Sequence, residues 1–189
     1  AKATGKTSQS TGSAGNTVQG LPINRLRKSL KGLKGEQLNQ RVAQLINKHA
    51  TDQGKQNLDG LPNPEQMKGI NIGGTQVMWG EGVEDSDITQ AVATVIKSIP
   101  PTLLRGNKRI VLTAQYCSQD ARFAKEFNKS DFHAVATGGD GNIISYAGIS
   151  PSFSTIAHES GHNFATKIWG VSTPPADSEY GIAQKKEPA

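Results

Sequence analysis

The sequence predicts an α+β fold preceded by a polar lead. Three observations support this class. Apolar residues recur at helical spacing over residues 85–99, β-branched residues cluster in IVLTAQYC (residues 110–117), and the turn sequence GGDG joins two strand-like runs near residue 140. From residue 85 onward, the predicted order is therefore helix, strand, helix, strand pair, helix.

Composition divides the chain into three regions. Residues 1–20 are almost all Ser, Thr, Gly, Ala, Lys, Asn and Gln, which bury too little apolar surface to offset the entropy lost on ordering. We predict a flexible, partly disordered lead there, a basic helical extension with a linker over residues 21–70, and a folded domain over residues 71–189.

The extension has the pattern of two short helices. Leu, Ile and Val recur at helical spacing over residues 22–31 and 36–49, and Gly32 and Gly35 interrupt the pattern between them. Residues 51–75 are rich in Gly, Pro, Asn and Gln, which predicts a loop.

The first half of the domain alternates strands and helices. TQVMWG (residues 75–80) predicts a short strand. A helix follows, capped by Asp85 or Ser86 and stopped by Pro100. KRIVLTAQYC then predicts a strand, and DARFAKEFN (residues 120–128) predicts a short helix.

The second half of the domain is a predicted hairpin and a long helix. Residues 132–149 contain two strand-like runs around GGDG, where Gly and Asp tolerate positive φ. The final helix is expected to begin near Ser152 or Ser154 and to end at Gly170.

The positive charge belongs to the front of the chain. Residues 1–70 hold 11 Lys and Arg against 4 Asp and Glu, whereas residues 71–189 hold 10 against 12. A basic surface can meet nucleic acid or an anionic membrane, or it can simply be a solvated extension. Because residues 1–70 contain no Phe, Tyr or Trp on which bases could stack, we do not expect nucleic acid as a partner.

Cys117 is the only cysteine, so an internal disulfide and a CxxC zinc site are both excluded. Its strand-like surroundings predict a small buried hydrophobe, with a catalytic thiol as the alternative. The sequence has no apolar run of about 18 residues, so we expect a soluble chain without a transmembrane segment. The first residues, AKATG, lack Met and suggest a fragment or a matured product.

The segment AHESGH (residues 157–162) carries the chemistry. His158 and His162 lie four positions apart, which on a helix is about 40° around the axis. Both imidazoles can therefore converge on one zinc ion, while Glu159 approaches a water at that ion, as in the H-E-x-x-H motif. Gly161 is unfavourable inside a helix, which suggests that it makes room for a strand or a substrate.

Simpler interpretations apply to each histidine. His158 and His162 can be surface residues of an amphipathic helix. His133 lies in a predicted strand, where a structural role is more common than metal binding. His49 ends a predicted helix, where a histidine suits the helix dipole.

The segment STIAHESGHNFATKIWG (residues 154–170), preceded by a hairpin and followed by SEYG, resembles the active-site region of lethal-factor-like zincin metallopeptidases. The resemblance covers about residues 75–189. It implies a zincin-like domain with a small mixed sheet and an active-site helix. It also implies a zinc-dependent endopeptidase, acting on a protein substrate as a secreted or delivered toxin or effector domain of a larger polypeptide.

The resemblance also implies roles for individual residues. His158 and His162 correspond to the first two zinc ligands, and Glu159 to the general base. Tyr180 corresponds to the tyrosine that steadies the oxyanion, and Glu187, seven positions later, to the third ligand. The run NIISYAG corresponds to the edge strand that pairs with substrate, which gives as substrate-binding residues Asn142, Ile143, Ile144, Ser145 and Tyr146.

The end of the chain departs from the family pattern. Pro188 and Ala189 follow Glu187 directly, whereas the family places its glutamate on a helix rich in acidic and aromatic residues. Asp177 and Glu179 are further candidates for the third ligand, and Tyr180 could be an ordinary loop residue. The alternative function is a catalytically weak or inactive zincin-fold interaction module within a toxin or phage-type assembly.

Overall fold

The computed structural model describes residues 20–58, 64–122, 134–137 and 140–172. Within these ranges the fold is α+β, as predicted. The helices are α1 (Ile23–Ser29), α2 (Gly35–His49), α3 (Asp85–Lys97), α4 (Pro101–Leu104) and α5 (Phe153–Trp169). The strands are β1 (Thr51–Gln56), β2 (Glu65–Ile72), β3 (Thr75–Gly80), β4 (Arg109–Leu112), β5 (Ala134–Thr137) and β6 (Asn142–Ser145).

The described strands form one mixed sheet of six, in the order β1-β2-β3-β4-β6-β5. Strands β3, β4 and β6 are parallel to one another. The pairs β1–β2, β2–β3 and β5–β6 are antiparallel. The small mixed sheet expected for the domain is therefore present, and it extends further towards the N-terminus than expected.

The predicted edge strand is wrong. Strand β6, which contains NIIS, lies between β4 and β5, with Ile143 opposite Ala136 on one side and beside Ile110 on the other. Its backbone groups are already shared between two neighbours, so they cannot receive an added strand. Among the described strands, β5 is the edge strand on this side of the sheet.

Side chains alternate between two cores on opposite faces of the sheet, as the period of two in a strand requires. The larger core lies under the helices and includes Val77, Ile110 and Ile143 from the sheet and Ile156 from α5. The smaller core lies on the other face and includes Met78, Val111, Ile144 and Cys117. Helix α5 therefore rests on the same face as α1, α2 and α3.

The boundary predicted at residue 70 is also wrong, because it falls inside β2. The loop predicted over residues 51–75 is occupied largely by β1, β2 and the start of β3. Leu26 of α1, Leu30 just after α1 and Val42 of α2 belong to the larger core. The Arg27 guanidinium donates to the carbonyls of Ile96 and Ile99 at the end of α3. Residues 21–58 are thus part of the same folded unit.

Two sequence predictions fall outside the described residues. The flexible lead covers residues 1–20, of which only Gly20 is described. The short helix predicted at residues 120–128 is described only as far as Arg122. The helices predicted at 22–31, 36–49 and 85–99 are confirmed to within a few residues.

Candidate functional site

Helix α5 carries the H-E-x-x-H segment and has the ends that the sequence predicts. Ser152 is the N-cap, and its hydroxyl accepts the backbone N–H of Thr155 at 3.4 Å. Gly170 ends the helix with φ of 72°, a left-handed conformation that glycine adopts without steric cost. Local interactions define both ends of the helix, so the position of each motif residue along the helix is defined as well.

The two histidines of the motif converge. The Nε2 atoms of His158 and His162 are 3.1 Å apart. Their rings meet edge to face, with an interplanar angle of 81°. Two nitrogens bound at roughly 2.0–2.1 Å to one tetrahedral zinc ion are about 3.3 Å apart. This separation is close to that of two ligands of one ion, and with no ion between them it is also that of a direct hydrogen bond from Nε2–H of His158 to Nε2 of His162.

A backbone carbonyl sets the tautomer of His162. Its Nδ1 lies 2.6 Å from the carbonyl oxygen of Ser172. A carbonyl can only accept, so Nδ1 carries the proton and Nε2 presents its lone pair towards His158. Metal-binding histidines commonly have such a partner on the other ring nitrogen, because it orients the ring.

Glu159 points towards the edge strand. Its carboxylate is half-buried, and the backbone N–H of Ala136 in β5 lies near enough to lower its pKa. Burial raises the pKa of Glu159, while the nearby imidazoles of His158 and His162 and the Ala136 N–H act in the opposite direction. A carboxyl group with a raised pKa is a better proton acceptor at neutral pH than an ordinary surface carboxylate.

Gly161 leaves space beside the histidines. Apart from the neighbouring residues of its own helix, no atom of the described chain lies within 4 Å of the position that a Cβ would take there. The space expected at Gly161 is therefore present.

The buried side of α5 includes two polar residues, which the sequence analysis missed. Ser160 and Asn163 are fully buried, and both bind the side chain of Asn107, which follows α4. The signal was present in the spacing, since Ile156, Ser160 and Asn163 follow the i, i+4, i+7 pattern of a core face.

The residues predicted to bind substrate in β6 do not form such a site. Ile143, Ile144 and Ser145 are buried in the sheet. Tyr146 is 2% exposed, and its hydroxyl donates to the carboxylate of Asp120. Burial raises the pKa of the Tyr146 phenol well above its ordinary value.

Asp120 has a second partner in Arg122, whose Nε and Nη2 donate to the two carboxylate oxygens at 3.1 and 2.7 Å. Burial alone would favour the neutral acid, but the hydrogen bonds from Arg122 and Tyr146 hold the pKa of Asp120 below its ordinary value. Cys117 is buried beside this group, as predicted, and burial raises the pKa of its thiol. The cluster anchors the loop that follows β4.

Several predicted site residues lie outside the described part of the chain: Tyr180, Glu187, Asp177, Glu179 and His133. In the described part, no group of three His, Cys, Asp or Glu side chains could hold a metal ion. His49 is the last residue of α2, as expected.

None of the described helices combines the length and the apolar character needed to cross a membrane. Comparison with protein-family models, with curated proteins and with solved structures finds no match to this chain.

Proposed function

We propose that this protein is a zinc-dependent endopeptidase in which α5 holds the metal and the reacting water beside β5. The observation that supports this most directly is the 3.1 Å separation of the His158 and His162 Nε2 atoms, with Glu159 between them in sequence. The partners expected from the resemblance are a protein substrate and the remainder of a larger toxin or effector polypeptide.

The donor set suits zinc. Two neutral imidazoles with converging Nε2 atoms are typical zinc ligands, and the Ser172 carbonyl already fixes one tautomer. We propose Glu187 as the third ligand, with Asp177 and Glu179 as alternatives; all three belong to the segment that follows Ser172. A zinc ion bound there supplies a Lewis acid and lowers the pKa of bound water to about 7.

Glu159 is the proposed general base. It takes a proton from the attacking water and delivers it to the leaving amine, so one carboxyl group serves both halves of the reaction. Its raised pKa suits both roles, because the group must hold a proton briefly and then release it. Tyr180 is proposed to donate a hydrogen bond to the developing oxyanion.

The proposed substrate is an extended peptide segment that pairs with β5. Edge strands accept extended peptides through backbone hydrogen bonds. Peptides of many sequences can therefore bind, but only in an extended conformation. This role replaces the one that the sequence analysis gave to Asn142–Tyr146. It is supported by the position of β5 at the end of the strand order and by its contact with Glu159.

The experiment compares zinc content and cleavage of an unfolded protein by the wild type and by Glu159→Gln. We expect about one zinc per chain in both, with cleavage by Glu159→Gln reduced at least about 100-fold. The matched control is Glu81→Gln, which changes an exposed glutamate and should leave cleavage unaltered. Equal cleavage by wild type and Glu159→Gln would remove Glu159 from the mechanism. Zinc binding without any cleavage by the wild type would favour the interaction module.

A further inference from the structure

Three buried polar side chains form a chain of hydrogen bonds behind α5. Asn163 Nδ2 donates to Asn107 Oδ1 at 2.9 Å, and Asn107 Nδ2 donates to Ser160 Oγ at 2.7 Å. Ser160 Oγ in turn donates to the carbonyl of Ile156 at 2.6 Å. Ser160 and Asn163 are 0% exposed and Asn107 is 4% exposed, so water does not compete for these groups.

Such a chain is an unexpected choice for this position. Burying amides and a hydroxyl is costly wherever a group lacks a partner, as the buried Oδ1 of Asn163 does among the described residues, and apolar side chains of similar size would pack there without that cost. Hydrogen bonds are more restrictive than apolar contacts in distance and direction. We infer that the polar chain specifies the rotation and position of α5 more tightly than apolar packing could.

Asn163 extends the chain to the sheet. Its Nδ2 also donates to the backbone carbonyl of Asn142 at 3.1 Å. Asn142 is the first residue of β6 and pairs with Thr137, the last residue of the edge strand β5. One amide group therefore connects the helix that carries the histidines to the hairpin that carries the edge strand.

The backbone around these hydrogen bonds is closely packed, so a movement of α5 would also move its neighbours. A Cβ on Gly106 would lie 3.2 Å from the backbone nitrogen of Phe164, so the loop before β4 rests directly on α5. A Cβ on Gly141 would lie 2.9 Å from the carbonyl oxygen of Gly106, so the same loop also touches the turn before β6. Lys167 Nζ adds a contact to the carbonyl of Arg105 at 3.2 Å.

The connection acts on the motif through the rigidity of the helix. Asn163 is about 100° around the helix axis from His162, and Ser160 is about 200° from His158. The polar chain thus holds the buried side while the histidines face away from it. A shift of α5 on this side would move Glu159 relative to its partner Ala136 in β5.

We propose that Asn163 is a positioning residue that sets the spacing between the H-E-x-x-H helix and the edge strand β5, with Asn107 and Ser160 as its supports. The proposal deepens the proposed function, since that spacing decides whether a peptide paired with β5 meets Glu159. The geometric part can be tested whether or not the protein cleaves peptides.

The test measures amide hydrogen exchange in wild type and in Asn163→Ala, using the Ala136 amide of β5 and the Val111 amide of β4 as reporters. Asn163→Ala should raise the exchange rate of Ala136 at least tenfold relative to that of Val111. The control, Ile96→Val, trims a fully buried side chain of α3 away from the polar chain and should leave this ratio within twofold of wild type. An unchanged ratio in folded Asn163→Ala overturns the proposal.

Ser160→Ala provides a milder variant, since alanine suits a helix and the bonds of Asn163 remain. It should raise the same ratio about threefold, and this variant decides the matter if Asn163→Ala does not fold. An unchanged ratio in folded Ser160→Ala would then overturn the proposal. If the wild type cleaves protein, Asn163→Ala should lower kcat at least tenfold with KM within twofold. A kcat equal to that of Ile96→Val would show that the spacing does not serve catalysis.

Discussion

The Nε2 atoms of His158 and His162 lie 3.1 Å apart on the side of α5 that faces away from the larger core. The carbonyl of Ser172 binds the other nitrogen of His162, so the lone pair that would bind a metal is directed towards His158. The Ser172 carbonyl therefore orients the His162 ring in advance, which reduces the freedom that this ring loses on binding a metal ion.

Replacement of His158 by alanine should abolish stoichiometric zinc binding. Loss of a partner behind a metal-binding histidine typically costs 10–100-fold in affinity, so loss of the histidine itself should cost more than about 100-fold. Isothermal titration of zinc into chelator-treated protein measures the change. His49→Ala, at the end of α2, is the control and should bind zinc as the wild type does. Equal affinity in wild type and His158→Ala would contradict the assignment.

Glu159→Gln should stabilise the metal-free protein at neutral pH. Burial raises the pKa of Glu159 in the folded state. The ionised carboxylate therefore lowers the free energy of unfolding, whereas the protonated carboxyl group does not. The stability that the wild type gains from protonation is present below the ordinary pKa of glutamate and is lost as the pH rises through the raised value. Thermal unfolding at pH 7 and pH 4 should show a higher Tm for Glu159→Gln only at pH 7. A lower Tm at pH 7 would be the opposite result.

Tyr146→Phe should destabilise the fold by about 1.5–3 kcal/mol, because it removes one hydrogen bond from the buried, charged carboxylate of Asp120. Zinc affinity should stay unchanged, since Tyr146 supports the smaller core rather than the metal pair. Urea unfolding and zinc titration measure the two effects. A loss of zinc affinity without a loss of stability would indicate that Tyr146 belongs to the metal site.

The same variant should also change the acid sensitivity of the protein. The lowered pKa of Asp120 contributes stability that is present above the ordinary pKa of aspartate and is lost as the pH falls through the lowered value. Tyr146→Phe removes part of that contribution. The difference in unfolding free energy between the wild type and Tyr146→Phe should therefore become smaller at low pH. A gap that widens towards low pH would contradict the role assigned to the pair.

Two glycines should respond to alanine in opposite directions. Gly161→Ala adds a methyl group where no atom lies within 4 Å apart from nearby residues of α5 itself, and alanine is favoured over glycine in helices by about 1 kcal/mol. Gly106→Ala places a methyl group 3.2 Å from the Phe164 backbone and should cost about 1–3 kcal/mol through overpacking. Urea unfolding of both variants gives the sign of each change in unfolding free energy. Changes of the same sign would contradict this packing.

The helices and the hairpin could be predicted because their patterns are local. The stripe in α3 and the capping signals Ser152 and Gly170 around α5 require no knowledge of the rest of the fold. Strands β1 and β2 were missed because β1, TDQGKQ, is a polar edge strand, and its sequence resembles that of a loop. Only pairing with β2 makes it a strand.

The error over the edge strand has a different origin. A hairpin has two strands, and sequence spacing does not show which of them lies outside. The outcome here depends on β6 pairing with β4, a long-range choice that no local pattern encodes. The hydrogen bonds of Asn107 and Asn163 were equally out of reach, because the two residues are far apart in sequence.

The central claim is that His158 and His162 together bind zinc. Its most direct test is anomalous diffraction at the zinc absorption edge from crystals of the wild-type chain grown with zinc. We expect a single peak at roughly 2.0–2.1 Å from both Nε2 atoms, with a third protein ligand from the segment after Ser172. Density showing the two imidazoles bonded directly to each other, with no peak between them, would contradict it.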